Sequence, residues 1–386
     1  MNTKKKKVLS IFGTRPEAIK MAPLVNALQG TEQIICKVAV TAQHREMLDQ
    51  VLQLFAIQPD YDLQIMRPGQ NLYDITSRAL LGLKEVLEQE KPDMVLVHGD
   101  TSTTFVGALA AYYQQIPIGH VEAGLRSGDK YSPFPEEMNR RLAGSLADVH
   151  FSPTETAAAN LLREGHRQEG IFITGNTVID ALLTTVKSDY SFTDQELQKI
   201  DFTNKRVILV TTHRRENLGE PMRQMYLAMG DLVREFDDLV LVFPVHKNPA
   251  VREVVREVLG DLDRVILVEP LDYEPFANLM QRSYLVLTDS GGLQEEAPAL
   301  GKPVLVLRDN TERPEAVLAG TVKLVGTERD NIYQAAKLLL TDKEAYGRMA
   351  QAVNPYGDGQ ASQRIIDALF YYWGWRKDKP QPFTAG

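Results

Sequence analysis

The sequence has a single cysteine, no long apolar run and no excess of positive charge. One cysteine among 386 residues, Cys36, excludes an internal disulfide and is typical of a protein from a reducing compartment. No segment approaches the roughly 18 apolar residues that a membrane helix requires. The apolar run after the first lysines, 8–12, is too short for the core of a signal peptide. We therefore expect a cytoplasmic protein that does not cross a membrane.

Charge and motif content exclude several classes of ligand. The chain carries 43 Lys plus Arg against 51 Asp plus Glu, a formal charge of −8, so its surface as a whole does not attract nucleic acid or an anionic membrane. The glycine patterns of NAD-binding and P-loop proteins are absent, and no histidine or cysteine pair has the spacing of zinc ligands. We therefore predict no nucleic-acid partner, no metal and no cofactor, and any anionic ligand must meet local positive charge.

Short apolar runs alternate with stretches of helical period along the whole chain, which is typical of parallel sheets covered by helices. A polar segment, 188–205, separates two series of such runs, and twelve strands are too many for one sheet. The sequence therefore predicts an α/β protein with two doubly wound, Rossmann-like domains. The predicted strands are 8–12, 34–40, 94–98, 116–121, 149–152, 171–174, 207–211, 239–245, 265–268, 285–288, 304–307 and 322–325.

Ligands of such folds bind at the carboxyl ends of the strands, so the residues after each strand are the candidates for function. Ser290, Gly291 and Gly292 follow a strand and precede a helix, where glycines let backbone amides approach a phosphate. The alternative is a tight turn with Ser290 as helix N-cap. Glu295 and Glu296 follow, either to accept hydrogen bonds from sugar hydroxyls or to compensate the helix dipole.

The first half of the chain places acids and bases at strand ends. Asp100 and Glu122 follow two strands that should be neighbours, and with Glu136 they are candidates for acid/base chemistry. Arg15 and Lys20 follow the first strand and could reach an anion.

Two further groups of charged residues have both functional and structural interpretations. The segment FPEEMNRR pairs Glu136 with Arg140 and Glu137 with Arg141 at i,i+4 spacing, and a surface salt bridge is the better interpretation for Glu137. In the second half, His213 stands beside two arginines at a strand end, and Arg313 could again serve an anion.

At these residues the sequence resembles the non-hydrolysing UDP-N-acetylglucosamine 2-epimerases of bacteria. The resemblance covers nearly the whole chain in the blocks GTRPEAIKMAP, VHGDTST, GHVEAGLRS, FPEEMNRR, THRREN, LTDSGGLQEEAPALGKPVLVLRDNTERPE and NPYGDG. It implies a glycosyltransferase-B type fold with the active site in the interdomain cleft. It also implies a last helix, about 361–375, that returns to the first domain. The expected domains are then 1–175 with 361–386, and 176–360.

The resemblance also implies the reaction, which is inversion of carbon 2 to interconvert UDP-N-acetylglucosamine and UDP-N-acetylmannosamine for cell-surface polysaccharide. The carbon-2 proton has no adjacent ring carbonyl and no NAD is available to create one. The feasible route is therefore anti elimination of UDP to 2-acetamidoglucal, followed by addition of UDP to the other face. The implied ligands are UDP-N-acetylglucosamine and UDP, and the implied assembly is a homodimer.

Site residues are carried over from the resemblance position by position. Asp100, Glu122, Glu136 and His213 are the implied catalytic residues, and the individual roles of the three acids stay open. The implied substrate-binding residues are Arg15, Lys20, Arg140, Phe276 at the uracil, Ser290, Gly291 and Gly292 at the phosphate, Glu296 at the ribose, and Arg313.

Bacterial members also have a second UDP-N-acetylglucosamine pocket that activates the enzyme. The positions that match it here are Gln43, Gln70, Glu136, Arg214 and His246. Glu46 and Gly69 depart from the Gln and Arg expected there, and Arg67 could substitute for the missing cation.

Three other functions remain open from the sequence. A glycosyltransferase of the same fold would share the nucleotide-binding half, but it would need an acceptor groove where this chain has three acids. A hydrolysing epimerase would differ in the treatment of the intermediate. A nucleotide-sugar sensor would not need Asp100, Glu122 and Glu136 together.

Overall fold

A computed structural model of the protein describes residues 5–42 and 45–385, without the side chains of residues 45 and 46. The chain divides into two units. The first holds the described residues up to Thr184 together with Tyr356–Thr384, and the second holds Thr185–Pro355. Among the described residues, no helix is both long and apolar enough to span a membrane.

The first unit is built on a parallel sheet of seven strands in the order β3-β2-β1-β4-β5-β6-β7. The chain runs outward from β1 to β3, returns to pair β4 with β1, and then runs outward to β7. The switch point therefore lies between β1 and β4, where ligands of doubly wound folds bind. The strands are β1 Lys6–Phe12, β2 Ile34–Val40, β3 Tyr61–Asp62, β4 Met94–His98, β5 Ile118–Val121, β6 Val149–Ser152 and β7 Ile171–Ile173.

Helices connect these strands and bury their apolar faces against the sheet. The helices of the first unit are α1 Arg15–Gln29, α2 Arg45–Leu54, α3 Leu72–Glu90, α4 Ser102–Tyr113, α5 Glu136–Leu146, α6 Glu155–Arg163, α7 Thr177–Thr185 and α16 Ala361–Tyr372. One apolar core lies under α3 and α4, where Leu83 and Ala108 pack against Val95 and Val97 of β4. Helix α1 begins at Arg15 and runs past Pro23, so that proline does not delay the start of the helix.

The second unit repeats the plan with six parallel strands in the order β10-β9-β8-β11-β12-β13. Its switch point lies between β8 and β11. The strands are β8 Arg206–Thr211, β9 Leu239–Pro244, β10 Val265–Val268, β11 Leu285–Thr288, β12 Val304–Val306 and β13 Val322–Leu324. The helices are α8 Gln195–Gln198, α9 Glu220–Glu235, α10 Pro249–Leu259, α11 Tyr273–Arg282, α12 Leu293–Ala299, α13 Pro314–Leu318, α14 Arg329–Thr341 and α15 Lys343–Ala350. All twelve predicted strands are confirmed, and β3 is the additional strand within the described residues.

The division between the units differs from the predicted one at 175/176 and 360/361, because α7 and the residues from Tyr356 stay with the first unit. Asp180 of α7 is 6% exposed and accepts hydrogen bonds from the amides of Ala361 (3.1 Å) and Ser362 (2.7 Å). This carboxylate caps α16 from outside the helix, at the end where the dipole favours negative charge. Helix α16 lies in the first unit.

Candidate active site

The switch point of the first unit is organised by a buried carboxylate, Glu17. It is 2% exposed, and its Oε2 accepts hydrogen bonds from the amides of Gly13 (3.1 Å) and Thr14 (2.8 Å), which closes a capping box at the start of α1. Its Oε1 accepts from the hydroxyls of Thr101 (2.7 Å) and Thr104 (3.3 Å) in the turn after β4. One side chain therefore fixes the two turns that carry Arg15 and Asp100.

Asp100 and Arg140 form an ion pair at this switch point. Nη2 of Arg140 donates to Oδ2 of Asp100 at 2.6 Å, and Asn139 of the same helix α5 donates to the Asp100 carbonyl at 3.0 Å. Burial raises the pKa of Asp100, and the nearby charges of Glu122 and Glu136 act in the same direction, whereas Arg140 and Lys20 oppose them. A carboxyl with a raised pKa suits proton transfer near neutral pH.

Glu122 follows the neighbouring strand β5 with a left-handed backbone (φ 61°), which is costly for a residue other than glycine. It is 8% exposed, and its Oε1 accepts hydrogen bonds from Lys20 and from Asn176 (2.8 Å). Lys20 of α1 and Asn176, which follows β7, therefore hold the carboxylate of Glu122 in place at the end of β5. The structure brings Asp100 and Glu122 to adjacent strand ends, as their positions in the sequence predict.

Of the two i,i+4 pairs predicted in α5, Glu137 with Arg141 is present, but the predicted surface location of Glu137 and the pair of Glu136 with Arg140 are not found among the described residues. Arg140 pairs with Asp100 and lies 3.6 Å from Glu137, and the structure gives no pair between Arg140 and Glu136 among the described residues. Glu137 is not a surface residue, because its side chain is 0% exposed and accepts hydrogen bonds from Arg141 (2.9 Å) and from the amide of Ser127 (3.0 Å). The two glutamates have different surroundings: Glu137 anchors two arginines, while Glu136 is half-buried and its charge reaches Asp100.

In the second unit, Asp289 organises the loop of His213. It directly follows β11, is 0% exposed, and accepts hydrogen bonds from the amides of His213 (3.0 Å) and Arg214 (2.9 Å) and from the side chain of Asn217 (3.2 Å). Nδ1 of His213 lies 3.3 Å from its other oxygen. Burial lowers the pKa of His213; the charge of Asp289 opposes this, and His246 and Arg214 add to it.

The turn after Asp289 leads into α12 through Ser290, Gly291 and Gly292. Gly292 is the N-cap and has no side-chain cap, so the alternative in which Ser290 caps the helix is not what the structure shows. The amides of Gly291 and Gly292 donate no hydrogen bond to any described residue. A side chain on Gly291 would come within 3.9 Å of Nη2 of Arg214. The turn therefore presents amide donors and a guanidinium side by side.

The remaining predicted residues of the second unit lie around α12. The hydroxyl of Tyr273 donates to Glu296 at 3.3 Å, and Phe276 is half-buried one turn further along α11. Arg313 is less available than the sequence predicts, since its Nε donates to the buried carboxylate of Glu295. Glu295 therefore has a structural partner and not a sugar hydroxyl.

The residues predicted for a second nucleotide pocket are only partly described. Gln43 lies outside the described residues, and so does the side chain of Glu46. In the first unit, Oε1 of Gln70 accepts hydrogen bonds from the amide of Arg67 (3.0 Å) and from Arg78 (3.2 Å). In the second unit, the rings of His213 and His246 are stacked at 5.8 Å.

Sequence reasoning missed Glu17, Asn176 and Asp289. A signal for Glu17 was present, because a glutamate three residues after Thr14 fits the capping-box spacing. Asp289 directly follows a predicted strand, which was a second such signal. Asn176 is 54 residues away from Glu122 in the sequence, so no local pattern indicated that the two are in contact. No cluster of three potential metal ligands occurs in 5–42 or 45–385.

Comparisons with known proteins agree with this geometry. A model of the UDP-N-acetylglucosamine 2-epimerase family matches residues 26–370. The chain is 58% identical to UDP-N-acetylglucosamine 2-epimerase from Bacillus subtilis over 382 residues, 99% of this chain and 100% of the relative. A crystal structure of a putative UDP-N-acetylglucosamine 2-epimerase from Listeria monocytogenes is similar with a TM-score of 0.93 and 55% identity, covering 98% of this chain and 100% of that one. The enzyme from Neisseria meningitidis bound to UDP-GlcNAc is similar with a TM-score of 0.84 and 52% identity, over 95% and 100% of the two chains. The predicted fold class is confirmed.

Proposed function

The chain belongs to the UDP-N-acetylglucosamine 2-epimerase family, and we propose that it reversibly converts UDP-N-acetylglucosamine to UDP-N-acetylmannosamine without hydrolysing either. A relative 52% identical over 95% of this chain binds UDP-GlcNAc, which supports the substrate. The product then supplies N-acetylmannosamine for cell-surface polysaccharide.

The observation that carries the proposal is the pair of acids at adjacent strand ends. Asp100 follows β4 and Glu122 follows β5, and each has a cation in contact, Arg140 and Lys20 respectively. Inversion at carbon 2 needs a group that removes a proton and a group that returns one to the opposite face. Two carboxyl groups in different electrostatic surroundings, one with a raised pKa, are suited to divide these roles.

The reaction proceeds by elimination and addition. A carboxylate takes the proton from carbon 2, the bond between carbon 1 and the diphosphate oxygen breaks, and UDP leaves with that electron pair to form 2-acetamidoglucal. UDP then adds to carbon 1 while a carboxylic acid delivers a proton to the other face of carbon 2. Asp100, Glu122 and Glu136 provide these proton transfers, and no external oxidant is required.

UDP is recognised by the second unit. The amides of Gly291 and Gly292 are donors for phosphate oxygens. Glu296 accepts hydrogen bonds from the ribose, Phe276 packs on the uracil, and Arg313 completes the nucleotide site. His213 reaches the diphosphate from a loop that Asp289 holds in place.

Incubation with UDP-N-acetylglucosamine in heavy water, followed by NMR at carbon 2, tests the proposal. The expected product is intact UDP-N-acetylmannosamine that carries deuterium at carbon 2. Release of UDP with free N-acetylmannosamine would identify a hydrolysing enzyme. Product without deuterium would exclude proton removal from carbon 2, and transfer of the sugar to an acceptor would favour a glycosyltransferase.

A variant separates chemistry from binding. Asp100→Asn keeps the size of the side chain and removes its ability to exchange protons, so deuterium incorporation should be abolished while UDP binding stays near normal. Loss of UDP binding in a folded variant would instead make Asp100 structural.

We further infer activation by a second molecule of substrate, through Gln43, Gln70, Glu136, Arg214 and His246. The reverse reaction, started with UDP-N-acetylmannosamine alone, should show a lag that a trace of UDP-N-acetylglucosamine removes. Arg214→Ala should lengthen the lag. Absence of a lag in the wild-type protein would show that activation is lost, in keeping with Glu46 and Gly69.

A homodimer is also proposed. The packed helices α3 and α4 expose large apolar side chains, Tyr73 (87%), Leu81 (65%) and Tyr113 (66%), which a second copy would cover. Sedimentation should give a dimer for the wild-type protein and a monomer for Leu81→Glu, whereas a wild-type monomer would exclude the assembly.

A further inference from the structure

His98 is a buried histidine beside the acids of the first unit. It ends strand β4, just before Gly99 and Asp100, and it is 3% exposed. Both ring nitrogens lack a hydrogen-bond partner among the described residues. Buried polar atoms in folded proteins nearly always have a partner, because leaving one unpaired is costly. His98 has two buried ring nitrogens without a partner among the described residues, and it lies close to Asp100 at the end of β4. This arrangement requires an explanation.

The ring of His98 is directed at Glu122. Its Nε2 lies 3.6 Å from Oε2 of Glu122, while the other oxygen, Oε1, accepts from Lys20 and from Asn176 at 2.8 Å. A hydrogen bond between an N–H and a carboxylate spans roughly 2.7–2.9 Å, so a small movement would form one. Hydrogen bonds of catalytic groups are often long without substrate and shorten when it binds.

The surroundings keep the imidazole neutral. Burial lowers the pKa of His98 to about 3; the charge of Glu122 opposes this shift, and Lys20 and His120 add to it. The neutral ring carries one N–H, and placing this proton on Nε2 directs it at the carboxylate.

We propose that His98 is a positioning residue for Glu122, and that its Nε2–H donates to Oε2 when the sugar is bound. Lys20 and Asn176 then hold one oxygen of the carboxylate and His98 holds the other, so that the carboxylate cannot rotate while a proton moves. The proposal rests on the proposed function of Glu122 in proton transfer at carbon 2.

Three variants test this role. His98→Phe keeps a planar ring and removes both nitrogens, and we expect kcat to fall about 10- to 100-fold with KM within about twofold of wild type. His98→Gln retains an N–H donor and should recover part of the loss. The melting temperature of His98→Phe should not fall, because apolar atoms replace two unpaired polar ones.

His150→Phe is the matched control. His150 lies in β6, is 2% exposed, and also has an unpartnered buried nitrogen, Nδ1, but its ring contacts His166 at 4.5 Å and not an acid. Its kcat should equal that of the wild-type protein. Wild-type kcat in His98→Phe would overturn the proposal, and so would equal losses of kcat and stability in both phenylalanine variants.

Nitrogen NMR of the histidine rings tests the geometry without catalysis. The His98 signals, identified by their absence from His98→Phe, should report the Nε2–H tautomer and should shift in Glu122→Gln. The Nδ1–H tautomer, or no response to Glu122→Gln, would overturn the positioning role even if the wild-type protein epimerises. A wild-type protein that does not epimerise would refute the proposed function, and the NMR result would still decide the contact.

Discussion

Asp289→Asn is the substitution that best isolates how the second unit positions His213. The Asp289 carboxylate is fully buried and accepts hydrogen bonds from three donors: the amide of His213, which contacts both oxygens, the amide of Arg214 and the side chain of Asn217. An asparagine whose oxygen takes the Oδ2 position keeps all three acceptor contacts. Its NH2 group then faces Nδ1 of His213, which lies 3.3 Å from the oxygen it replaces.

The stability cost follows from the change in bond type. A hydrogen bond to a charged acceptor contributes about 1 kcal/mol more than a neutral one, so three bonds lose about 3 kcal/mol, partly offset because no charge is buried. Asp289→Ala instead leaves three donors without an acceptor, at about 1–3 kcal/mol each. Urea unfolding should therefore rank the wild type above Asp289→Asn and Asp289→Ala last.

The effect on catalysis is larger, because the tautomer of His213 changes. The Asp289 carboxylate favours the tautomer with its proton on Nδ1 of His213, which leaves Nε2 as an acceptor, whereas an asparagine NH2 would donate to Nδ1 and so place the proton on Nε2. A wrong tautomer at a catalytic histidine can lower kcat by about 10⁴-fold, and we expect a loss of at least about 100-fold in Asp289→Asn with UDP affinity retained. Loss of the Asp289 charge also removes the influence that raises the pKa of His213, so protonation of the ring should move to lower pH.

A double variant decides whether Asp289 acts through His213. If it does, Asp289→Asn combined with His213→Ala should be no slower than His213→Ala alone, since residues that act as a unit are not additive. Multiplying losses in the double variant would refute the reasoning, and so would wild-type kcat in Asp289→Asn.

Three further predictions concern the buried titratable groups of the first unit. Glu17→Ala should lower the free energy of unfolding by about 3 kcal/mol or more in urea, because two backbone amides lose their acceptor; a loss below about 1 kcal/mol would contradict this. Glu137→Ala should destabilise by about 1–3 kcal/mol, since the amide of Ser127 and the partly exposed Arg141 lose a buried acceptor, whereas Glu136→Ala should unfold like the wild type but lose deuterium exchange. Equal stability of the two variants would show that Glu137 is not the anchor. Burial lowers the pKa of both His98 and His150 to about 3, whereas a histidine of the unfolded chain has a pKa of about 6.5. Between these values only the unfolded chain binds the protons, so the free energy of unfolding decreases as the pH is lowered. At pH 5.5 the decrease is about 1.4 kcal/mol for each histidine. Replacing both histidines by Phe should remove about 3 kcal/mol of the stability difference between pH 7.5 and 5.5; an unchanged difference would contradict the assignment.

Local pattern was sufficient to predict the strands and the neighbouring positions of β4 and β5, and insufficient to predict the full order of strands in each sheet. Strands and helices alternate along the chain, and a strand that is covered on both faces is apolar throughout, which makes it visible in the sequence. The strand Tyr61–Asp62 has only two residues at the edge of its sheet, too few to produce a pattern. The order of strands is a property of tertiary pairing, and it is this order that brings the ends of β1 and β4 together.

The restriction to local pattern also explains which residues of the candidate site were predicted and which were missed. Asp100 and Glu122 were predicted because each directly follows a buried strand. Glu137 was misjudged because i,i+4 spacing does not tell which face of a helix is covered, and here the backbone of Ser127 covers it. Asn176 reaches Glu122 from another strand end, which no local motif records.

The positive charge near the acids has a different role from the one that composition suggests. In an acidic chain, cations at a site are expected to attract the anionic diphosphate, but in the first unit Lys20 is already paired with Glu122 and Arg140 with Asp100. Of the three predicted cations Arg15, Lys20 and Arg140, Arg15 is the one that makes no ion pair with another described residue, so a phosphate could meet it without displacing a carboxylate. Each of the other two lowers the cost of keeping its acid ionised, and at Asp100 the charge of Arg140 opposes the rise in pKa that burial causes. We therefore propose that Lys20 and Arg140 act on the acids of the first unit, and that Arg15 is the one of these three cations that is available to a phosphate.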